Sequence, residues 1–231
     1  VTARLNKPYI KVFEEERELT VMLLVDVSAS GLFGTISKQK RELMAEVGAV
    51  LAFSASLNND KVGALFFSTK VEKFIPPKKG RKHILYIIRE LLEYKPESQQ
   101  TNIAFALEYL TRALKRRCIA FMLSDFIDQH SFLQPLSIAS HKHDVVAIQV
   151  YDKRVAELPD VGLLKVHDAE TGQEQIIDTS SRAVREAQAK WWKQQTMRLK
   201  DTFSRSKVDA VSVRTDQDYV SVLRSLFANR K

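Results

Sequence analysis

The sequence has a single cysteine, Cys118, in 231 residues. No disulfide can form within the chain, and so little cysteine is typical of proteins that stay in a reducing compartment. We therefore expect a cytoplasmic protein. Cys118 begins an apolar run that ends at Leu123. We therefore expect Cys118 to be a small apolar residue of a buried strand.

Glycine and proline are also scarce, with 7 and 6 residues, so little of the chain is expected to be linker. The apolar runs are only about as long as a strand, whereas a membrane-spanning helix needs roughly 20 residues. We therefore predict no membrane span in this chain. No signal-peptide pattern is found, and a start at Val1 is expected of a piece excised from a longer protein.

Several motifs of catalysis and ligand binding are missing. The sequence has neither a P-loop nor a Gly-x-Ser-x-Gly elbow, and its five histidines show no metal-ligand spacing. The net charge of +8 raises the question of nucleic acid. The basic clusters at 78–82 and 115–117 are not interleaved with aromatic residues, so we expect helix ends and turns there, with an acidic protein partner as the alternative and no nucleic acid.

Hydrophobic periodicity predicts alternating strands and helices. Strands are predicted over 19–26, 61–67, 71–75, 118–124, 144–150 and 208–213. Helices are predicted over 37–57, 81–94, 101–115, 132–140, 181–205 and 216–228. Pro76-Pro77 is expected to end the third strand, and Thr215 and Asp218 are candidates to cap the last helix.

The alternation predicts an α/β fold, a doubly wound, mostly parallel sheet with helices on both faces. A small hairpin is added to it, because short strands flank Glu170-Thr171-Gly172. We expect one domain over 1–231, with a surface or edge lead-in at 1–18 and the hairpin insertion at 160–180.

The segment Asp26-Val27-Ser28-Ala29-Ser30 directly follows the apolar run that ends at Val25. Such a run is typical of a buried parallel strand, and open α/β sheets bind ligands at the carboxyl ends of their strands. Alternate side chains of an extended segment point the same way, so Asp26, Ser28 and Ser30 can converge. They offer only oxygen, which suits Mg²⁺ or Mn²⁺ better than Zn²⁺.

Two more oxygen donors are expected at the same edge of the sheet. Thr101 ends a polar loop and opens a predicted helix, and Asp125 directly follows the strand that ends at Ser124. Asp128 is the rival for the last position, but it lies farther from the end of the strand. Asp26, Ser28, Ser30, Thr101 and Asp125 are therefore our candidate metal-site residues.

These five residues resemble the metal-ion-dependent adhesion site of von Willebrand factor A domains. The resemblance implies that Ser28, Ser30 and Thr101 coordinate Mg²⁺, directly or through water. It also implies that Asp26 and Asp125 act through water or hold the ligands, and that an acidic residue of a partner protein completes the metal's shell.

Four further segments are similar to a bacterial subgroup, domain of unknown function family 58. They are 13–20 (FEEERELT), 58–63 (NNDKVG), 74–80 (FIPPKKG) and 124–126 (SDF). The subgroup's members are often encoded beside MoxR-type AAA+ ATPases, which implies such a partner and a chaperone-like or assembly role. Gly31 departs from the bulky apolar residue that often follows the second serine, which implies a more mobile loop.

The predicted function is thus a metal-dependent protein–protein interaction module rather than an enzyme. The alternative is a Mg²⁺-dependent phosphoester hydrolase that uses Asp26 as its nucleophile. A haloacid-dehalogenase-like site requires a second aspartate two residues after the nucleophile, and this sequence has Ser28 there.

Overall fold

The computed structural model describes residues 18–28, 34–35, 38–95, 98, 100–167, 174–228 and 230. The strands are β1 (Thr20–Asp26), β2 (Gly34–Thr35), β3 (Lys38–Gln39), β4 (Lys61–Phe67), β5 (Val71–Lys78), β6 (Ile119–Ser124), β7 (Asp144–Tyr151), β8 (Leu163–His167), β9 (Glu174–Asp178) and β10 (Asp209–Arg214). The helices are α1 (Lys40–Leu57), α2 (Arg81–Glu93), α3 (Ile103–Ala113), α4 (Leu133–Lys142), α5 (Lys153–Ala156), α6 (Arg182–Arg205) and α7 (Tyr219–Ala228).

Six strands form one sheet in the order β10-β7-β6-β1-β4-β5, and only β5 runs antiparallel to its neighbour. Helices α1, α2 and α7 pack on one face, and α3, α4 and α6 pack on the other. The predicted fold class, a doubly wound, mostly parallel α/β sheet, is confirmed. The chain leaves β1 toward β4 and later returns to β6 on the other side, so a topological switch point lies at the carboxyl end of β1.

The central strand β1 shows why its sequence is continuously apolar. Val21, Leu23 and Val25 belong to the core on one face of the sheet. Met22 and Leu24 belong to the core on the other face. A strand covered on both faces has no solvent side on which to alternate polar residues, so the first polar side chain appears only where the strand ends.

The edge strand β5 corrects one prediction. It continues through Pro76-Pro77 to Lys78 instead of ending at residue 75. Proline is tolerated on an edge strand because its missing N–H removes no ladder bond on the unpaired side. The register with β4 shifts between Val62 and Ala64, and Gly63 lies at that irregularity. A Cβ on Gly63 would meet Met22 Sδ at 2.6 Å, Ile75 O at 2.8 Å and Pro77 N at 2.9 Å.

Five helices begin later than predicted, namely α1, α3, α4, α6 and α7, and the shifts of α1 and α3 bear on the candidate site. Helix α1 starts at Lys40 instead of residue 37, because residues 38–39 pair with 34–35 in the short ribbon β2–β3. Helix α3 starts at Ile103 instead of residue 101, since the side chain of Asn102 caps it by accepting a hydrogen bond from Phe105 N at 2.9 Å. Thr101 therefore precedes the helix.

The last helix was predicted to have two caps, and one of them is wrong. Helix α7 begins at Tyr219, and Asp218 Oδ1 accepts a hydrogen bond from Val220 N at 3.0 Å. The hydroxyl of Thr215 instead donates to the buried carboxylate of Asp152 at 3.1 Å. The short helix α5, which Asp152 caps, has no counterpart in the sequence-based prediction.

The added hairpin consists of β8 and β9, which pair antiparallel from Leu163 with Asp178 to His167 with Glu174. Its predicted turn at 170–172 and most of the lead-in at 1–18 lie outside the described residues. No helix within the described ranges is both long and apolar enough to cross a bilayer.

Candidate metal centre at the carboxyl edge of the sheet

Asp26 is the centre of the polar cluster at the switch point. It is the last residue of β1, and only 3% of it is exposed. Its Oδ1 accepts hydrogen bonds from Ser28 N at 3.0 Å and from Thr101 Oγ1 at 3.2 Å. Its Oδ2 accepts from Ser124 Oγ at 2.7 Å and from Thr101 Oγ1 at 3.1 Å. A buried carboxylate is thus surrounded by hydroxyl groups.

Thr101 is held at this edge by the neighbouring strand. Ser68 directly follows β4, and its carbonyl accepts a hydrogen bond from Asn102 N at 2.8 Å. Asn102 in turn caps α3. The chain is therefore fixed directly after Thr101, which helps to explain how a residue 75 positions from Asp26 reaches it.

Asp125 follows β6 and is 4% exposed. Its Oδ1 accepts a hydrogen bond from Ile127 N at 3.0 Å, and its Oδ2 accepts from Lys40 Nζ at 2.7 Å. Lys40 is the first residue of α1, and its side chain is 5% exposed. The sequence-based prediction missed this lysine at the site.

The electrostatics of the cluster are dominated by burial. Burial and the nearby charge of Asp125 raise the pKa of Asp26 to about 6, although hydrogen bonds from Ser124 and Ser28 act in the opposite direction. Desolvation penalises the charged form, whereas hydrogen bonds to a carboxylate favour it. A cation near Asp26, in addition to Lys40 at Asp125, would therefore stabilise the ionised form of Asp26.

Ser124 is a second residue that the prediction missed as a site residue. It is fully buried at the end of β6, and its hydroxyl also accepts a hydrogen bond from Phe126 N at 3.0 Å. Phe126 has a φ of 57°, a left-handed conformation that is uncommon for an aromatic residue. The signal in the sequence was a serine at the end of an otherwise apolar strand, directly before Asp125.

The remaining candidate residues are Ser28, Ser30 and Asp128. Ser28 is buried and hydrogen-bonds to Asp26, whereas Ser30 lies outside the described residues. Asp128, the rival of Asp125, binds the start of α3 by accepting from Ile103 N at 2.8 Å. Its other oxygen accepts from His130 N at 2.8 Å, so both of its carboxylate oxygens serve the local loop and helix.

The donor set of this cluster consists of oxygen. Two carboxylates and three hydroxyl-bearing residues come together, and this chemistry fits Mg²⁺ or Mn²⁺. Within the described part of the chain, no group of three His, Cys, Asp or Glu residues is placed to hold a metal ion. A metal held by the described residues of this edge would therefore need Ser and Thr hydroxyls or water beside the two carboxylates.

Comparison with known proteins finds a matching family model and similar sequences. Residues 1–198 match the model of a family described as protein of unknown function DUF58. An uncharacterised protein of Mycobacterium tuberculosis strain H37Rv is 32% identical over 235 residues, a match that covers 100% of this chain and 73% of that protein.

Two solved structures have a similar fold at low sequence identity. The conserved hypothetical protein BatB from Bacteroides thetaiotaomicron superposes with a TM-score of 0.60 at 16% identity, covering 91% of this chain and 98% of that one. The VWA domain of SpRpn10 superposes with a TM-score of 0.51 at 11% identity, covering 93% and 96%. The VWA-like fold expected from the sequence is thus supported by structures as well as by topology.

Proposed function

The chain belongs to the DUF58 family of proteins of unknown function, and on this premise we propose that it is a metal-dependent protein–protein interaction module. The observation that carries the proposal is the buried Asp26 carboxylate, which accepts hydrogen bonds from Ser28, Thr101 and Ser124 at the switch point of the sheet. Isolated buried charges are costly, so such a cluster is expected where a ligand adds opposite charge.

Each residue has a proposed role. Ser28, Ser30 and Thr101 supply hydroxyl oxygens to Mg²⁺ or Mn²⁺, and Asp26 and Asp125 orient these ligands and their waters. Mg²⁺ commonly keeps several waters and takes only a few protein ligands, which suits this hydroxyl-rich set. The bound cation would supply a site that a carboxylate of a partner protein can occupy.

The proposed partner is a protein that contributes an acidic residue. Resemblance to the family further favours a MoxR-type AAA+ ATPase as the functional partner, in a chaperone-like or assembly role. The net charge of +8 is compatible with an acidic partner, because opposite charge accelerates encounter.

The contacts of Asp26 favour a binding module over the alternative phosphoester hydrolase. Both carboxylate oxygens accept hydrogen bonds, and the residue is 3% exposed. A nucleophile has to reach the reacting atom, so a carboxylate enclosed in this way is better suited to hold ligands than to attack.

A metal-dependent capture experiment tests the proposal. A purified MoxR-type AAA+ ATPase from the same genome is passed over the immobilised chain in Mg²⁺ or in EDTA, with Asp26→Asn as the comparison. We expect retention only with wild type in Mg²⁺. Equal retention in EDTA or by Asp26→Asn would contradict the metal-dependent mechanism. Mg²⁺-dependent turnover of p-nitrophenyl phosphate, lost in Asp26→Asn, would favour the hydrolase instead.

A further inference from the structure

Lys40 is unusual among the described lysines because it is buried. Its side chain is 5% exposed, and its ammonium group lies 2.7 Å from Asp125 Oδ2, which is 4% exposed. Lysine is almost never fully buried unless it is paired with an opposite charge. The burial of Lys40 thus depends on its contact with the candidate metal centre.

Local structure does not account for this lysine. Lys40 is the first residue of α1, where the positive end of the helix dipole favours anions over cations. A buried ion pair also adds little stability relative to apolar residues of similar size, because desolvation offsets the attraction. Where a residue conflicts with local preferences, a function of the site is the expected reason.

We propose that Lys40 is an intramolecular counter-ion that competes with the divalent cation for the negative charge of Asp125. The pair occupies one carboxylate of the site with a charge that belongs to the protein itself. Metal binding must then either displace the ammonium group or accept its repulsion, so Lys40 lowers the affinity of the site and makes occupancy depend on a partner's carboxylate. This inference rests on the proposed metal centre.

The expected size of the effect follows from the distance. The ammonium group lies 2.7 Å from Asp125 Oδ2, and two charges about 4 Å apart at a protein site interact strongly enough to change an equilibrium by more than tenfold. Neutralising Lys40 should therefore tighten the binding of a divalent cation by at least about tenfold.

The test is a titration of metal-stripped protein with Mn²⁺, followed by its paramagnetic signal, for wild type, Lys40→Gln and Lys40→Met. Lys40→Gln can still donate a hydrogen bond to Asp125, so this variant is expected to stay folded even if Lys40→Met does not. We expect each of these variants that folds to bind Mn²⁺ at least about tenfold tighter than wild type.

The matched control is Arg230→Gln. Arg230 is ion-paired with Asp144 and Asp209, which begin β7 and β10 at the amino edge of the sheet, about 20 Å away along the strands. This variant removes the same unit of charge and should bind Mn²⁺ as wild type does.

The outcomes separate the two proposals. Wild-type protein that binds Mn²⁺ with an affinity unchanged in Lys40→Gln would overturn the role of Lys40 alone. An equal gain in Lys40→Gln and Arg230→Gln would also overturn it, because the effect would be one of net charge. Absence of saturable Mn²⁺ binding in wild type and in both Lys40 variants would overturn the metal centre and, with it, this inference.

Discussion

The two edges of the parallel sheet bury polar groups in different ways. At the amino edge, Cys118 Sγ lies 3.4 Å from His143 Nδ1. Burial raises the pKa of Cys118 to about 12, and burial with the nearby positive charges of Lys142 and Arg117 lowers the pKa of His143. Both shifts favour the neutral forms at pH 7, so this pair is buried without charge. Asp60, 8% exposed at the same edge, accepts a hydrogen bond from Leu19 N at 3.0 Å.

The carboxyl edge instead concentrates charge. Asp26, Asp125 and Lys40 are all nearly inaccessible there, although each carries a charge in its usual state at neutral pH. The fold supplies comparable strands and helix ends at both edges, so topology alone does not require this difference. Under the proposed function, we expect the carboxyl edge to serve ligand binding and the amino edge to serve stability. Substitutions at the two edges should therefore have separable effects.

The largest expected effect is on stability and comes from Gly63, near the amino end of β4. Gly63→Ala places a Cβ within 2.8 Å of Ile75 O and 2.9 Å of Pro77 N, backbone atoms that can yield only if β5 moves. We expect a loss of about 1–3 kcal/mol in the free energy of unfolding, measured by urea denaturation. Mn²⁺ affinity of the folded protein should stay unchanged, and a loss of affinity without loss of stability would contradict the separation of the edges.

The next effect is on metal binding alone. Thr101→Val removes the hydroxyl that donates to both oxygens of Asp26, at 3.2 and 3.1 Å, and keeps the branched shape. We expect Mn²⁺ affinity to fall by at least about 10–100-fold, since loss of a proposed ligand should cost no less than loss of a residue that orients ligands. Thr111→Val is the control, because its hydroxyl bonds only within α3, to Glu108 O at 2.8 Å. Equal losses in both variants would refute a specific role for Thr101.

Metal affinity should depend on pH through Asp26 at the carboxyl edge. Because the pKa of Asp26 is raised to about 6, protons compete with a metal below that pH. We expect Mn²⁺ affinity to fall by about tenfold for each unit below pH 6, as measured by titrations in buffers from about pH 5 to about pH 8. An affinity that is constant over this range would contradict the assignment of Asp26.

The raised pKa of Asp26 also determines whether the stability of metal-stripped protein rises or falls with pH. A carboxyl group whose pKa is raised on folding contributes stability that is fully present below its ordinary value of 3.8 and is lost as the pH rises through about 6. The stability of wild type relative to Asp26→Asn should therefore decline over this window. A stability difference between wild type and Asp26→Asn that rises with pH over this window would contradict a raised pKa of Asp26.

The smallest effect is expected for Cys118→Ala at the amino edge. Loss of the thiol leaves His143 Nδ1 without this contact, and we expect a loss of about 1 kcal/mol in unfolding free energy. Wild-type Cys118 should resist Ellman's reagent in the native protein and react only after unfolding, because it is buried and protonated. Rapid native reaction would show that the amino edge opens.

Much of the candidate site was predictable from the sequence. Asp26 and Asp125 follow apolar runs, and the carboxyl ends of parallel strands meet at one edge of a sheet, so their proximity followed from topology. Thr101 was predicted at the same edge because it lies between a polar loop and a helix, although α3 starts at Ile103 and not at Thr101. These predictions depended on chain order and not on exact boundaries.

Other features depended on details that periodicity does not contain. Lys40 lies within the helix predicted over 37–57, so periodicity does not indicate which way its side chain points. That depends on the residue at which α1 begins, which is Lys40 itself. The sequence predicts Ser124 only as the end of a strand. In the structure its hydroxyl donates to Asp26 and accepts a hydrogen bond from Phe126 N in the turn that follows. Pro76-Pro77 did not end β5, because proline's effect on a strand depends on whether that strand lies at an edge.

The most direct measurement is a titration of metal-stripped protein with Mn²⁺, followed by its paramagnetic signal, beside the double variant Asp26→Ala/Thr101→Ala. Circular dichroism of both proteins verifies that they are folded. A metal centre at the carboxyl edge predicts saturable binding at one site in wild type and none in the variant. Saturable binding of equal affinity in both proteins, or none in wild type together with none in Lys40→Gln, would contradict it.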